Sequence, residues 1–252
     1  MKRFRRRVRE GMIQMGLSGR PKIFCIGRNK TGTTSLRNLF RREGLVVAAQ
    51  KPFERLFPSY VKADYDPILK QCAKAPVFQD IPFSLPGMYE VLDSAFPGSK
   101  FILSVRSSPE EWYHSLVRYH SAVFGNGRLP TRNDLETASY IWKGWAWEVH
   151  SYLYDTSGPG LYDEESLIGH YLDYNESVRG YFCGRPNDLI EIDVSNDGDY
   201  NRLQSFLRLP MSGGGFRGLI RVDTVIKYTH PRLTQFCHDT SSKAVSSTEG
   251  GL

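Results

Sequence analysis

The stretch GRNKTGTTSL, residues 27–36, has the residue types and the spacing of an anion-binding loop. It follows the apolar run 22–26, which predicts a strand, and its own end predicts the start of a helix. Gly32 permits close approach of the backbone, and the three hydroxyl residues after it would open the helix. Amide groups at a helix start attract negative charge, and Lys30 adds a mobile positive charge at the rim. The alternative is a plain strand–turn–helix connection whose hydroxyl residues only cap the helix.

The position of the lysine separates this loop from the common nucleotide loop. In the pattern G-x-x-x-x-G-K-[ST] the lysine directly follows the second glycine, whereas Lys30 stands two residues before Gly32. The run KTGTTSL instead resembles the 5′-phosphosulfate loop of sulfotransferases, which use 3′-phosphoadenosine 5′-phosphosulfate (PAPS) as sulfuryl donor. The resemblance implies a P-loop-kinase type of α/β fold, in which Lys30 contacts the 5′-phosphate and the bridging oxygen. It also implies a cradle for the phosphosulfate made of Gly32, Thr33, Thr34 and Ser35.

A second segment, KFILSVRSSPEEWYHSL, resembles the family segment that binds the 3′-phosphate of the donor. It reads as a strand, an arginine at the strand end and a helix that carries a serine. The resemblance implies that Arg106 and Ser115 hold the 3′-phosphate through charge-assisted hydrogen bonds. The family spacing is eight residues and the spacing here is nine, so Ser107 or Ser108 is the alternative to Ser115. For Arg106 itself the alternative is an ion pair with Glu110 or Glu111.

The predicted donor site therefore combines the loop with the second segment. Arg28 would add a second positive charge to the loop. The predicted donor-binding residues are Arg28, Asn29, Lys30, Thr31, Gly32, Thr33, Thr34, Ser35, Arg106 and Ser115.

Asp80 is the candidate general base. It ends the strand-like run in PVFQDIPF and precedes Ile81-Pro82. In the cytosolic sulfotransferases the corresponding strand ends in a His-Leu-Pro run whose histidine is the base, and in the heparan-sulfate branch a glutamate does this work. The unperturbed pKa of an aspartate is about 3.9, so Asp80 would be a weak base unless burial raises its pKa. The alternative is a structural aspartate that accepts backbone amides or pairs with Lys30.

These residues imply an in-line transfer of a sulfuryl group from PAPS to a hydroxyl or amine acceptor, without a metal. The stretch MSGGGFRG replaces the adenine-binding R-K-G-x-x-G-D-W-K segment of the cytosolic phenol and steroid branch. The resemblance is therefore nearer the carbohydrate and bacterial branch, with a sugar or another alcohol as acceptor. Two alternatives are a P-loop kinase that uses ATP-Mg²⁺ and a catalytically inactive nucleotide-binding relative. A nucleic-acid-binding protein is the weakest alternative, and no nucleic-acid partner is expected.

The elements that must position these residues alternate between strands and helices. Apolar strand-like runs occupy residues 22–27, 45–48, 76–79, 100–105 and 188–194. Helical patterns occupy residues 109–123, 133–153, 163–182 and 199–209, besides the helix after the loop. The stretch PNDLIEIDVSNDGDYNRLQSFLRLP resembles the late strand and short helix of many sulfotransferases. Near-continuous apolar strands predict an α/β fold with a central parallel sheet of about five strands and helices on both faces.

The chain of 252 residues predicts one such domain over residues 21–238, between a basic arm (1–20) and a disordered tail (239–252). The first ten residues hold six basic side chains and one acidic one, which leaves the remainder of the net charge of +6 close to neutral. The arm predicts at most weak contact with anionic lipid. The four cysteines show neither zinc spacing nor a disulfide framework. No signal or membrane span is seen, which predicts a soluble cytoplasmic protein; a Golgi enzyme lacking its anchor would show the same pattern.

Overall fold

The computed structural model describes residues 21–154, 156–158, 160–208 and 215–216. In that part of the chain a four-stranded sheet has the order β2-β1-β3-β4, and every neighbouring pair is parallel. The strands are β1 (Ile23–Cys25), β2 (Val77–Gln79), β3 (Lys100–Val105) and β4 (Leu189–Asp193). The predicted α/β class and the parallel sheet are therefore confirmed.

Helices occupy the connections between the strands. They are α1 (Thr33–Arg42), α2 (Gln50–Glu54), α3 (Phe57–Val61), α4 (Asp66–Gln71), α5 (Met88–Ala95), α6 (Pro109–Phe124), α7 (Arg132–Thr137), α8 (Trp145–Leu153), α9 (Glu164–Tyr181) and α10 (Asp197–Leu207). The starts of the two longest helices follow from their sequences. Pro109 occupies the first turn of α6, where a missing amide is harmless, and the Asp163 carboxylate caps α9 by accepting from the Ser166 amide.

Apolar side chains cover the sheet on both faces. On one face Phe24 lies in register with Phe78 and Phe101, and its ring stacks on theirs at centroid distances of 5.3 and 5.5 Å. On the other face Leu36 and Leu39 of α1 pack against the side chains that alternate with this row. The middle of β3 (Phe101–Leu103) is buried on both sides and is therefore apolar without interruption, whereas β4 alternates buried apolar residues with partly exposed acidic ones.

The expectation of a fifth strand at residues 45–48 is wrong. Only Val47 forms a β-bridge, parallel to Val77, and the Ala48 amide donates to the Val77 carbonyl. Gly44 follows α1 with a φ of 78°, and α2 already begins at Gln50. The segment between them is too short to extend the ladder, so it lies beside β2 without becoming a strand.

The expectation of one long helix over residues 133–153 is also wrong. The helix breaks between Thr137 and Trp145, where Ser139 and Lys143 form an isolated antiparallel bridge. Gly144 has a φ of 86°, which belongs to the left-handed region and stops a right-handed helix from continuing. Trp145 is buried, so α8 packs one face against the core.

The basic arm, the tail, Pro210 and most of MSGGGFRG lie outside the described residues. The limits of the three predicted regions, the lipid contact of the arm and the cytoplasmic location therefore stay predictions. No helix in the part of the chain described above is long and apolar enough to cross a bilayer.

Candidate active site

Three predicted site segments meet at one edge of the sheet. The anion loop follows β1, Asp80 follows β2 and Arg106 follows β3. Because β1 lies between the other two strands and all three are parallel, their carboxyl ends lie side by side. Ligands of open α/β sheets bind at this edge.

The loop places an open helix end at this edge. Gly32 is the N-cap of α1 with a φ of 96°, and a Cβ added there would lie 2.2 Å from a methyl carbon of Val194. Glycine is therefore required both by the backbone conformation and by the packing. The cap position offers no side-chain oxygen to the first-turn amides. This helix end is thus suited to an anion from outside the chain.

Lys30 and Arg106 lie against each other at this helix end. The Arg106 Nε donates to the Lys30 carbonyl over 2.7 Å, and the Lys30 Nζ lies 3.4 Å from the centroid of the Tyr119 ring. Burial lowers the pKa of Lys30 to about 8; the nearby Asp80 carboxylate opposes this shift and Arg106 reinforces it. Burial has the largest effect on this pKa because the ammonium loses more free energy of hydration than its attraction to Asp80 restores.

Arg106 also contacts the serine that the family resemblance implies. Its Nη2 donates to the Ser115 Oγ over 3.3 Å, and its backbone amide donates to the Tyr171 hydroxyl over 3.1 Å. The helix α6 begins at Pro109, which places Ser115 in its second turn. Arg106 and Ser115 therefore face one another despite the nine-residue separation.

Ser107 and Ser108, the alternatives to Ser115, form hydrogen bonds with Glu111 instead of Arg106. The Ser108 Oγ accepts the Glu111 amide and caps α6, while the Ser107 hydroxyl donates to the Glu111 carboxylate. Within the described ranges no ion pair joins Arg106 to Glu110 or Glu111. Both hydroxyls are used locally, which favours Ser115 as the hydroxyl beside Arg106.

Asp80 is a buried carboxyl at the start of α1. Its side chain is 8% exposed, and its Oδ2 accepts a hydrogen bond from the Thr33 Oγ1 over 3.3 Å. Burial raises the pKa of Asp80, and this effect exceeds the opposing influence of Lys30, the Thr33 hydrogen bond and Arg37. Asp80 is therefore a stronger base than an exposed aspartate.

Arg28 is predicted to add a second positive charge to the loop, and its contact with a donor stays a prediction. Its side chain is 2% exposed and points into the protein, where it donates to the Ser84 carbonyl over 3.0 Å and to the Tyr154 hydroxyl over 3.2 Å. The guanidinium also lies 5.1 Å from the centroid of the Tyr174 ring. These partners satisfy the charge inside the fold, so Arg28 anchors the loop to the protein interior.

Two further loop residues have structural partners. The buried Thr31 hydroxyl donates to the Arg28 carbonyl over 2.6 Å and lies 2.7 Å from the Ser104 Oγ. The Asn29 carbonyl accepts from the indole of Trp112 over 2.9 Å. These bonds fix the shape of the loop, and a direct contact of either residue with a donor stays a prediction.

Sequence reasoning missed three residues at the site. Tyr119 lies four residues after Ser115 on α6, and this helical spacing could have identified it. Glu54 and Tyr140 belong to segments without a motif, and the fold brings them near Asp80. Their position depends on tertiary packing, for which the local sequence carries no signal.

No group of three or more His, Cys, Asp or Glu side chains is arranged to hold a metal within the described part of the chain. The absence of a metal requirement stays a prediction.

A family model described as a sulfotransferase domain matches residues 22–216, which is most of the chain. The matched range includes the loop, Asp80, Arg106 and Ser115. No curated protein matches the chain.

Proposed function

The chain belongs to the sulfotransferase family, and from this premise we propose that it transfers a sulfuryl group from PAPS to a hydroxyl acceptor. The observation that carries the proposal is the meeting of Lys30, Arg106 and Ser115 at the open start of α1. This arrangement offers two positive charges and hydrogen-bond donors at the carboxyl edge of the sheet.

The residues present fit a donor that is anionic at both its 5′ and 3′ positions. Lys30 and Arg106 form no ion pair with a carboxylate of the described residues. Two neighbouring cations without such partners are costly to hold together unless an anion joins them. Lys30 and the start of α1 would hold the phosphosulfate, and Arg106 with Ser115 would hold the 3′-phosphate.

The side chains then have distinct chemical roles. PAPS, when bound, supplies an activated sulfuryl group. Asp80 would accept the proton of the acceptor hydroxyl, which makes the oxygen a better nucleophile. Lys30 and the amides of α1 would place positive charge where negative charge develops on the leaving oxygen. Positioning and electrostatics would thus do most of the catalytic work, as in phosphoryl transfer.

The kinase alternative has less support from the geometry. A P-loop kinase needs a hydroxyl next to its lysine that can bind Mg²⁺. Thr31 follows Lys30, but its hydroxyl is fully buried and bonded to the Arg28 carbonyl and Ser104. An inactive relative would bind the same nucleotide as an enzyme does, so only turnover separates these two hypotheses.

Replacing Arg106 by alanine is expected to weaken the binding of 3′-phosphoadenosine 5′-phosphate about 10- to 100-fold, because charge-assisted hydrogen bonds to a phosphate are lost. Calorimetric titration of the purified protein measures this directly. Arg118→Ala, which removes an exposed arginine of α6, is the matched control and should bind as the unmodified protein does. Equal binding by both variants would remove Arg106 from the donor site.

The affinity for the same nucleotide is expected to fall as the pH rises through about 8. Burial lowers the pKa of Lys30 to about 8 in the free protein. The ammonium is therefore present below this pH and is lost above it, together with its attraction for the 5′-phosphate. Titrations across this range should show the loss in the unmodified protein and a flat profile in Lys30→Arg, since arginine stays charged. A flat profile in both proteins would place Lys30 away from the nucleotide.

A further inference from the structure

Glu54, the last residue of α2, carries a buried carboxyl oxygen without a hydrogen-bond partner. The residue is 2% exposed, and its Oε1 accepts from the Gln50 side chain over 2.7 Å. Its Oε2 is buried and forms no hydrogen bond of normal geometry with the residues that the structure describes, although the Tyr140 hydroxyl lies near the carboxyl. An unpaired buried carboxyl oxygen is costly and calls for an explanation.

The packing fixes Glu54 beside the end of β2. Its neighbour Phe53 packs on Phe78 and Phe83 at centroid distances of 5.5 and 4.9 Å, and these two residues flank Asp80 in sequence. The Trp145 indole donates to the Glu54 carbonyl over 3.3 Å. The carboxyl therefore has little freedom to turn away from this region.

Four polar groups gather here around the proposed base. The charge of Asp80 acts on Glu54, Tyr119 and Tyr140, and the Tyr140 hydroxyl interacts with both the Tyr119 hydroxyl and the Glu54 carboxyl. The Lys30 Nζ lies on the ring of Tyr119. Both tyrosines are partly exposed, whereas the Glu54 carboxyl is buried.

We propose that Glu54, together with Tyr119 and Tyr140, forms an acceptor-binding subsite beside Asp80 that takes an uncharged polyol in preference to an amine. This inference rests on the proposed sulfotransferase function and adds to it the position and chemistry of the acceptor site. The unpaired Oε2 would bind a second oxygen of the acceptor while Asp80 binds the reacting hydroxyl.

The two carboxyls have different roles, and this difference gives the subsite its selectivity. Burial raises the pKa of Glu54 to about 8, and the Asp80 charge adds to this rise, whereas Gln50, Lys51 and Tyr140 oppose it. Burial raises the pKa of Asp80 as well, and Lys30, the Thr33 hydrogen bond and Arg37 oppose that rise. Because the proposed base must be a carboxylate to accept a proton, the reactive pair is a carboxylic acid at Glu54 and a carboxylate at Asp80.

An acid and a carboxylate together offer one donor and several acceptors. A hydroxyl pair matches this set, since one hydroxyl gives its proton to Asp80 and the other accepts from Glu54. An ammonium group has donors only, so it would leave the Glu54 proton unpaired or displace it. The match favours neutral acceptors.

The test uses glycerol and 3-amino-1,2-propanediol, which differ by one hydroxyl replaced by an amine and are small enough to enter a narrow site. The full chain is first titrated with 3′-phosphoadenosine 5′-phosphate, and then acceptor-dependent turnover is measured at saturating PAPS. We expect kcat/KM to be about 10-fold higher for glycerol, which corresponds to one well-placed hydrogen bond. Glu54→Gln, which keeps a donor, should retain the preference, and Glu54→Leu should lose it.

A pH series separates binding by Glu54 from a structural role. At saturating PAPS, kcat/KM for glycerol should fall above about pH 8 as the Glu54 proton is lost. In Glu54→Gln this fall should be absent, because the amide does not titrate. The titration of Lys30 does not disturb this comparison, because the phosphate of bound PAPS raises the pKa of Lys30.

Each outcome decides the matter. Failure of the unmodified protein to bind the nucleotide would refute the proposed function and this inference with it. Nucleotide binding without glycerol-dependent turnover, equal use of the amine, or an unchanged preference in Glu54→Leu would overturn the subsite alone and leave the donor site standing.

Discussion

Replacing Lys30 by alanine is expected to lower kcat for sulfuryl transfer by about 10²–10³, the effect of losing one preorganised group that stabilises developing negative charge. The physical reason is the position of the ammonium, which lies on the Tyr119 ring and is largely buried. In such surroundings a positive charge acts more strongly than it would in bulk solvent. Initial rates with PAPS and an excess of acceptor measure the effect.

Two further variants make the Lys30 result interpretable. Lys62→Ala removes an exposed lysine distant in sequence from the loop and should leave kcat unchanged. Lys30→Arg keeps the charge but changes its geometry, and it should recover part of the rate. If a folded Lys30→Ala protein works at nearly full rate, the leaving oxygen must be stabilised by another group.

Replacing Asp80 by asparagine is expected to lower kcat by about 10²–10⁴, the usual contribution of a general base. Asparagine has the same shape and still accepts the Thr33 hydrogen bond that Asp80 accepts at 3.3 Å, but it does not take up a proton. Burial raises the pKa of Asp80, so the unmodified carboxylate is better matched to this task than an exposed aspartate. Affinity for 3′-phosphoadenosine 5′-phosphate should change little, because the proposed role concerns the acceptor.

The Asp80 variant needs a charge-matched control. Asp64→Asn removes one negative charge at an exposed position and should leave the rate intact. The pH profile gives a second test, since the acid limb of kcat/KM in the unmodified protein should report Asp80 and should lie above the range of an exposed aspartate. An Asp80→Asn protein with an unchanged rate and acid limb would move the base to another residue.

The fold could be predicted where the local sequence identifies a strand or a helix. The strands β1 and β3 are largely apolar and can be read as buried strands, β4 shows as an alternation of apolar and acidic residues, and Pro109 identifies the start of α6. Residues 45–48 have the same apolar character, but only tertiary contact decides that a single bridge forms there. The break before α8 depends on the left-handed conformation of Gly144, which its neighbours in sequence do not specify.

The site could be predicted where it follows the sheet. Lys30, Asp80 and Arg106 each come after a strand, so parallel strands bring them together whatever the details of packing. Spacing does not reveal which way a side chain turns, and Arg28 turns inward to a carbonyl and a tyrosine. Glu54 comes from a short helix without a motif, and its place beside Asp80 is a result of packing alone.

The most direct test of the central claim is calorimetric titration of the unmodified protein with 3′-phosphoadenosine 5′-phosphate and, separately, with ATP-Mg²⁺. We expect tight binding of the bisphosphate without any added metal, and much weaker binding of ATP-Mg²⁺. A preference for ATP-Mg²⁺ would contradict the assignment of the loop, Arg106 and Ser115 to a PAPS site and would put phosphoryl transfer in its place.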